Sequence, residues 1–514
     1  MEFLTDMAAK RAELTPDAVA FSDADSGRSY SFRDMNERAN RLGNLLLGQG
    51  LRKGDRLAVL CLNHPDFFAL LFAAQKTGVL LVPLNWRQPV AELKPILAAS
   101  KARVLFADAA NMATARELAA EAGLDLLPMG AAAGGTTSAL DGLLDGADPS
   151  PVGNGRIRAG EPWYLLFTSG TTGLPKAVIQ TAGMAYANMI NYCQATGLSV
   201  GEKGVNFLPL FHTAGINLPT LPIFLNGGSS TILAKFDPDA VLDLIDAGQV
   251  TSFFGVPAIY QALALSSKID RTDFTRVRSL GCGGAPVPKH LLADFQARGV
   301  TICNGMGMTE TGPTVFLMDK GHAADKIGSV GKPQILTDVR LARPDGSVVE
   351  DAGEGEVQFR GPNITPGYMD NSRATAETFT GDGWLKSGDI ARRDADGYYY
   401  IVDRIKDMYI SGGENVYPAE VEKVLDGHPA ILEAVVIGVP DDKWGEVGAA
   451  FLVPRPGTEL DIAGLADWCR SHLAPYKIPK SFTATDDLPR TAAGKVRKNI
   501  LKDTYSSTSV QEDA

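Results

Sequence analysis

Leu166-Phe167-Thr168-Ser169-Gly170-Thr171-Thr172-Gly173-Leu174-Pro175-Lys176-Ala177 is the stretch around which the chain is organised. Its apolar approach, Tyr164 to Phe167, reads as a buried strand that stops at a loop of hydroxyl and glycine residues closed by Pro175 and Lys176. Such a loop can wrap a phosphate. Gly170 and Gly173 allow positive φ and close approach of the backbone to an anion; Thr168, Ser169, Thr171 and Thr172 offer hydroxyls, and Lys176 adds a point charge. In isolation the same residues would also make a plain surface turn. A Walker A loop requires lysine directly after its second glycine and then a hydroxyl residue, whereas Leu174-Pro175 separates Gly173 from Lys176, so a different nucleotide fold is implied.

Working outward, 514 residues are enough for several domains, and 45% hydrophobic with 21% charged residues describes an ordinary globular chain rather than a disordered or fibrous one. The net charge of −11 argues against bulk attraction to nucleic acid or to an anionic membrane. Anionic substrates would have to be met by locally concentrated basic residues. Cys61, Cys193, Cys282, Cys303 and Cys469 are scattered, odd in number and free of any CxxC pair, which fits reduced thiols in a cytoplasmic protein. Met1 to Asp6 carries no basic region followed by an apolar run, and the C-terminus has no targeting tail. The longest apolar region, Phe67 to Leu84, is interrupted by Gln75, Lys76, Gly78 and Pro83, too broken for a membrane span.

Met35, Ala39, Leu42 and Leu46 recur at helical spacing behind Ser31, a plausible cap, and Leu57 to Leu62 suits a buried strand. A helix around Phe67 to Lys76, a strand at Val79 to Pro83, and a third cycle of Leu93 to Ala98 then Ala102 to Phe106 extend the alternation. Strand–helix cycles predict a parallel sheet covered on both faces. Pro128 to Gly160, rich in Ala, Gly, Pro and Asp, reads as a solvated loop. Cycles resume with a helix near Met184 to Cys193 and strands at Val205 to Pro209 and Val250 to Phe254. Beyond Asp403 about a hundred residues carry their own pattern of short helices and strands, the mark of a separate small α+β domain.

Five further motifs follow in order. They are Pro209-Leu210-Phe211-His212-Thr213-Ala214-Gly215, Gly281-Cys282-Gly283-Gly284-Ala285-Pro286, Cys303-Asn304-Gly305-Met306-Gly307-Met308-Thr309-Glu310, Trp384-Leu385-Lys386-Ser387-Gly388-Asp389, and Pro489-Arg490-Thr491-Ala492-Ala493-Gly494-Lys495. Together with Thr168 to Lys176, they make the chain resemble the adenylate-forming superfamily of acyl- and aryl-CoA synthetases, peptide-synthetase adenylation domains and beetle luciferases.

The resemblance implies an α/β fold: a large N-terminal domain over residues 1–404, of layered sheets and helices (αβαβα with a distorted β-barrel), and a small mobile α+β domain over 405–514 with its hinge at Lys406. It implies ATP, Mg²⁺ and coenzyme A as the small molecules used. Thr168, Ser169, Gly170, Thr171, Thr172, Gly173 and Lys176 would hold the phosphates. Gly283, Gly284, Ala285, Pro286, Asn304, Gly305 and Met306 would border adenine; many relatives have tyrosine at the Met306 position, and methionine offers polarisable sulfur but no π-face. Thr309 would contact the α-phosphate and Glu310 would hold the metal. Asp389, with Arg404, would bind the ribose. His212 would gate the carboxylate, and Thr213, Ala214, Gly215, Phe253, Gly255 and Gly281 would line the acyl pocket. Lys495 would bridge carboxylate and α-phosphate, and Ser411, Gly412 and Gly413 would border the CoA tunnel.

The expected reaction is ATP-dependent ligation of a carboxylic acid to CoA through an acyl-adenylate, with release of AMP and pyrophosphate. Medium- or long-chain fatty acids are the expected substrates; the alternatives are an aryl acid such as 4-coumarate, ferulate or a benzoate, or loading of a carrier protein. The oligomeric state, monomer or homodimer, is left open.

Overall fold

The computed structural model describes residues 2–131, 135–168, 175–284, 287–411, 414–441, 443–490 and 496–512. The chain divides into two compact units, one of residues 1–338 and 359–385, the other of residues 339–358 and 386–514. Among the described residues no helix is long and apolar enough to cross a membrane.

The first unit holds two large sheets. One has six strands in the order Lys176–Thr181, Pro162–Thr168, Leu80–Pro83, Arg56–Leu60, Val104–Ala107 and Asp125–Pro128. All its pairs are parallel except Lys176–Thr181 with Pro162–Thr168. The expected strand–helix cycles supply it: helix Phe32–Gly48 starts at a capping box between Ser31 and Asp34, which satisfies two backbone donors that helix geometry leaves unpaired. Helix Pro65–Thr77 is buried nearly all round, as its continuous apolar run requires.

The other sheet has nine strands, in which Ile302–Gly307, Ser279–Cys282, Ser252–Gly255, Lys203–Asn206, Ser229–Ile232 and Val19–Asp23 run side by side and parallel. Its core includes a run of phenylalanines. Phe21 stacks on Phe68 at 4.6 Å between ring centroids, and Phe224 on Phe72 at 4.7 Å. Each such ring contributes roughly 1.5–3 kcal/mol on burial.

The segment between Pro128 and Gly160 departs from its reading as a solvated loop. It contains helix Ala139–Leu144 and strand Arg156–Arg158, and Met129, Leu140 and Leu144 are buried. Ionic contacts accompany that burial. Asp66, fully buried, accepts from Arg38 at 2.5 Å, from the Gly130 backbone at 3.1 Å and from the Ser138 hydroxyl, while Asp141 pairs with Arg28 and Arg38. A buried carboxylate needs such partners, and here they come from a segment whose composition alone reads as solvent-facing.

The second unit contains a four-stranded sheet, Asp338–Ala342, Gly353–Arg360, Leu385–Arg393 and Tyr399–Arg404, whose strands lie wholly or mostly within it, and a five-stranded sheet centred on the long hairpin Ile431–Asp441 with Gly445–Pro454. Gly438 and Gly448 face each other across that hairpin. The Tyr409 ring lies over both: a Cβ on Gly438 would sit 2.7 Å from Tyr409 Cγ, and one on Gly448 would sit 2.5 Å from its hydroxyl oxygen. Glycine is required there because an aromatic ring occupies the space of two side chains.

Candidate active site

In the nine-stranded sheet the expected motifs converge because parallel strands share one carboxyl edge, where open α/β sheets bind ligands. The register aligns Phe254 with Gly281, Gly255 with Cys282, Gly281 with Cys303 and Cys282 with Asn304. Gly255, Gly281, Gly283, Gly284, Asn304, Gly305 and Met306 thus fall on adjacent strand ends, and His212 follows strand Lys203–Asn206 on the same edge. Ala285 and Pro286 lie outside the described residues.

Alternation along strand Ser252–Gly255 sends its two phenylalanines to opposite faces. Phe253 packs in the core against Phe207 and Tyr260, at 5.9 and 5.7 Å. Phe254 fills the space beside the glycines: a Cβ on Gly281 would meet its ring, Cε2 at 2.8 Å, and one on Gly283 would sit 2.9 Å from its Cζ and 2.8 Å from the Gly305 carbonyl oxygen. Gly284 has φ +81°, the left-handed region that glycine enters without cost. Asn304 donates to the Ser329 carbonyl at 3.2 Å, and its own buried Oδ1 has no partner among the described residues. Met306 is half-buried opposite Phe316.

His212 caps the short helix Thr213–Asn217, with its ring 4.6 Å from Phe211. Its Nε2 is buried and has no partner among the described residues. Burial, assisted by the Arg87 charge, pushes the imidazole down to about 4, so the ring is neutral at physiological pH. The sign follows directly. An unfolded histidine takes up its proton near pH 6.5 while the folded one does not until about 4, so this group costs stability as pH falls through that window. His212→Phe is therefore expected to flatten the loss of thermal stability between pH 6.5 and 4. In the kcat/KM profile of the wild-type enzyme His212 contributes no inflection near pH 6.5; an inflection there that vanishes in the variant would contradict a neutral ring.

Thr213 and Gly215 are tied into a buried network. Asn217 donates to Thr213 Oγ1 at 3.1 Å and to the Tyr164 hydroxyl at 2.8 Å, and Asn206 donates to the Gly215 carbonyl at 2.7 Å. Ala214, half-buried, lies between them in the sequence.

The expected phosphate loop connects strand Pro162–Thr168 to Lys176–Thr181, with Thr168 opposite Lys176 at its base. Ser169, Gly170, Thr171, Thr172 and Gly173 lie outside the described residues. Thr309 and Glu310 form a single 3₁₀ turn ended by Gly312 at φ +68°. That turn is fastened to the strand leaving the loop: Gln180 donates to the Thr309 carbonyl at 2.8 Å, and Thr365 donates through its amide to Glu310 O at 2.8 Å and through its hydroxyl to Ile179 O at 2.7 Å. Glu310 is buried, and Oε1 accepts from the Tyr368 hydroxyl at 2.9 Å. The Lys176 ammonium lies over the Tyr368 ring, 5.1 Å from its centroid. Burial first, then the Glu310 charge, raises the Tyr368 phenol, which stays a proton donor.

Gln180, Thr365 and Tyr368 were not expected in the site. The neighbouring Pro366-Gly367 pair signals a turn and carries no chemistry of its own.

Among the described residues no three His, Cys, Asp or Glu side chains cluster to cage a metal. Mg²⁺ takes one or two carboxylates and draws its remaining oxygens from substrate phosphates and water, a demand that the single buried Glu310 carboxylate, on a turn bonded to strand Lys176–Thr181, fits.

In the second unit Asp389 and Arg404 are direct cross-strand partners, joined at 2.9 Å. Asp389, buried, is fixed through Ser387, whose hydroxyl accepts from its amide at 3.0 Å. Lys406 is exposed in the turn that follows, closed by amides of Asp407 and Met408 donating to Arg404 O. Ser411 is buried and pairs with Glu414 and Gly445. Gly412, Gly413 and Lys495 lie outside the described residues.

The sequence profile of the AMP-binding enzyme family matches residues 8–369, and that of the AMP-binding enzyme C-terminal domain matches residues 420–495. A feruloyl-CoA synthase of Amycolatopsis sp. is 42% identical over 493 residues, spanning 96% of this chain and 97% of its own. An indoleacetate–CoA ligase of Aromatoleum aromaticum is 33% identical over 92% of this chain and 93% of its own, and a long-chain-fatty-acid–CoA ligase of Mycobacterium tuberculosis is 33% identical over 98% of both. The o-succinylbenzoate CoA synthetase of Bacillus subtilis superposes with a TM-score of 0.88 as its acyl-adenylate complex, at 30% identity over 98% of this chain and 99% of its own. Its complex with ATP and magnesium ion superposes at 0.86, with 30% identity over 97% of this chain and 100% of its own. The large and small domains read from the motifs, the glycine-lined strand edge and these matches agree: the chain belongs to the AMP-binding enzyme family, as an AMP-forming acid–thiol ligase that uses ATP, Mg²⁺ and coenzyme A.

Proposed function

We propose that the acid is aromatic, of the hydroxycinnamate type, and that the enzyme makes its CoA thioester. The observation that carries this reading is 42% identity to a feruloyl-CoA synthase over nearly the whole chain, against 33% for the fatty-acid ligase. The weight thus moves from fatty acids to the aryl alternative.

In the proposed mechanism Lys176 and the hydroxyls of the phosphate loop hold the β- and γ-phosphates, and Gly283, Gly284, Asn304, Gly305 and Met306 border adenine. Asp389 accepts from the ribose hydroxyls, with Arg404 fixing it. His212 closes over the carboxylate as a neutral ring. A carboxylate oxygen of the substrate attacks the α-phosphorus, the bond to the β-phosphate oxygen breaks, and pyrophosphate leaves; Lys495 and Thr309 neutralise the charge developing at the α-phosphate. Glu310 would hold Mg²⁺, which when bound offsets phosphate charge. The CoA sulfur, having lost its proton, then attacks the acyl carbon, the bond to the AMP oxygen breaks, and Ser411, Gly412 and Gly413 flank the thiol's path. The small domain, residues 405–514, is proposed to turn about Lys406 between the two half-reactions, and the cytosol is the proposed compartment, in keeping with five free cysteines.

The test is CoA-dependent AMP release across ferulate, 4-coumarate, benzoate, octanoate and palmitate. Ferulate and 4-coumarate are expected to exceed the fatty acids in kcat/KM. Fatty acids ahead of every aryl acid would return the assignment to the fatty-acid reading.

A further inference from the structure

Tyr368 joins two groups that the mechanism uses separately. Its hydroxyl donates to Oε1 of Glu310 at 2.9 Å, and its ring carries the Lys176 ammonium 5.1 Å from the centroid. The tyrosine is itself held from two sides. Ile179 donates to Gly367 O at 3.1 Å and Met369 to Ala177 O at 2.8 Å, so residues 367–369 run as an added edge along strand Lys176–Thr181, with Val178 opposite Tyr368. The Tyr368 amide donates to Thr375 Oγ1 at 3.0 Å, and the side chain is buried.

We propose that Tyr368 is a positioning residue for adenylation: its hydroxyl sets the Glu310 carboxylate for Mg²⁺, and its ring keeps the Lys176 ammonium beside it for the phosphates. The proposal rests on the roles given above to Glu310 and Lys176. The physical case has two parts. A carboxylate that ligates a metal is oriented by the groups hydrogen-bonded to it, and a buried phenol on a backbone paired to the phosphate-loop strand can do so without rearranging. The ring face attracts an ammonium without neutralising it, so Lys176 is held near its working position yet is released readily to a phosphate. Because one side chain touches both groups, metal ligand and phosphate cation keep a fixed relation although they lie more than a hundred residues apart in sequence.

Tyr368→Phe keeps the ring and removes the hydroxyl; Tyr368→Leu removes both. Binding is read directly, without turnover, as the affinity for Mn²⁺ standing in for Mg²⁺, by electron paramagnetic resonance in the presence of α,β-methylene-ATP. For Tyr368→Phe the metal Kd is expected to rise about 10-fold or more, the range found when partners of metal ligands are removed. Its metal-free affinity for the analogue should be unchanged, and so should CoA attack on supplied acyl-AMP. Tyr368→Leu should in addition weaken metal-free analogue binding, through Lys176.

Unchanged Mn²⁺ affinity in Tyr368→Phe overturns the proposal, as does an equal loss of metal and metal-free analogue binding, the pattern of general structural damage. Glu310→Gln separates the two layers. If it leaves Mn²⁺ affinity intact, the metal role of Glu310 fails; if it weakens binding while Tyr368→Phe does not, only the role of Tyr368 falls. Should Tyr368→Leu not fold, Tyr368→Phe decides alone.

Discussion

Lys495→Ala is expected to abolish acyl-adenylate formation while CoA attack on supplied acyl-AMP proceeds at close to the wild-type rate. The argument starts from charge. As the carboxylate closes on the α-phosphorus, negative charge builds on oxygens that water would otherwise solvate, and a preorganised ammonium stabilises the transition state more than the ground state. Removing one such donor commonly costs about 10²-fold or more in rate. In the second half-reaction no bond is made or broken at phosphorus: the thiolate attacks the acyl carbon and AMP departs, and in the proposed reading the small domain has by then turned Lys495 away, so its loss leaves that step nearly untouched. The residues flanking its segment are organised for positioning: Arg490 pairs with Val496 in an antiparallel bridge, Arg497 donates to Pro489 O at 2.7 Å, and Lys498 is ion-paired with Glu422 at 2.8 Å. The check is pyrophosphate release measured separately from thioester formation. Equal loss of both steps would mean that the small domain does not divide its labour as proposed.

Gly307→Ala is expected to cost both stability and adenylation. A Cβ there would overlap the carbonyl oxygen of Pro313 and lie 2.6 Å from its carbon and 2.8 Å from Thr314 Cα. All three are backbone atoms, so no rotamer change relieves the clash. Relief requires strand Ile302–Gly307 to part from Thr314–Leu317, where the ladder already shifts register between Met306 and Gly307. The turn carrying Thr309 and Glu310 connects those two strands. Overpacking of this kind costs about 1–3 kcal/mol, and any displacement of that turn moves Glu310 from Tyr368. Thermal melting together with pyrophosphate release checks it. A variant that melts like wild type and adenylates normally would show that the turn is more yielding than its packing indicates.

Several elements were readable from local pattern because local pattern causes them. Ser31 with Asp34 caps a helix wherever an amphipathic repeat follows, and the strand before Thr168 is buried because Tyr164 to Phe167 offers no polar side for solvent. The segment from 128 to 160 was misread for the complementary reason. Its few apolar residues, Met129, Leu140 and Leu144 among them, are outweighed in composition by small and polar ones, and it folds inward to bury them while Asp66 and Arg38, far away in sequence, take Ser138, Gly130 and Asp141 as partners.

The site divides along the same line. Sequence alone singled out the residues proposed to bear the chemistry, because phosphate, metal and ribose recognition each need particular groups at short range, so Thr168 to Lys176, Thr309-Glu310 and Asp389 stand out as compact motifs. Tertiary structure decided what holds them: that Phe254 rather than Phe253 lies beside the glycines, that Thr213 spends its hydroxyl on Asn217, and that Tyr368 touches Glu310 and Lys176 at once. Such contacts depend on sheet register and on which face of a strand each side chain takes, and both are set by pairing between segments distant in the chain.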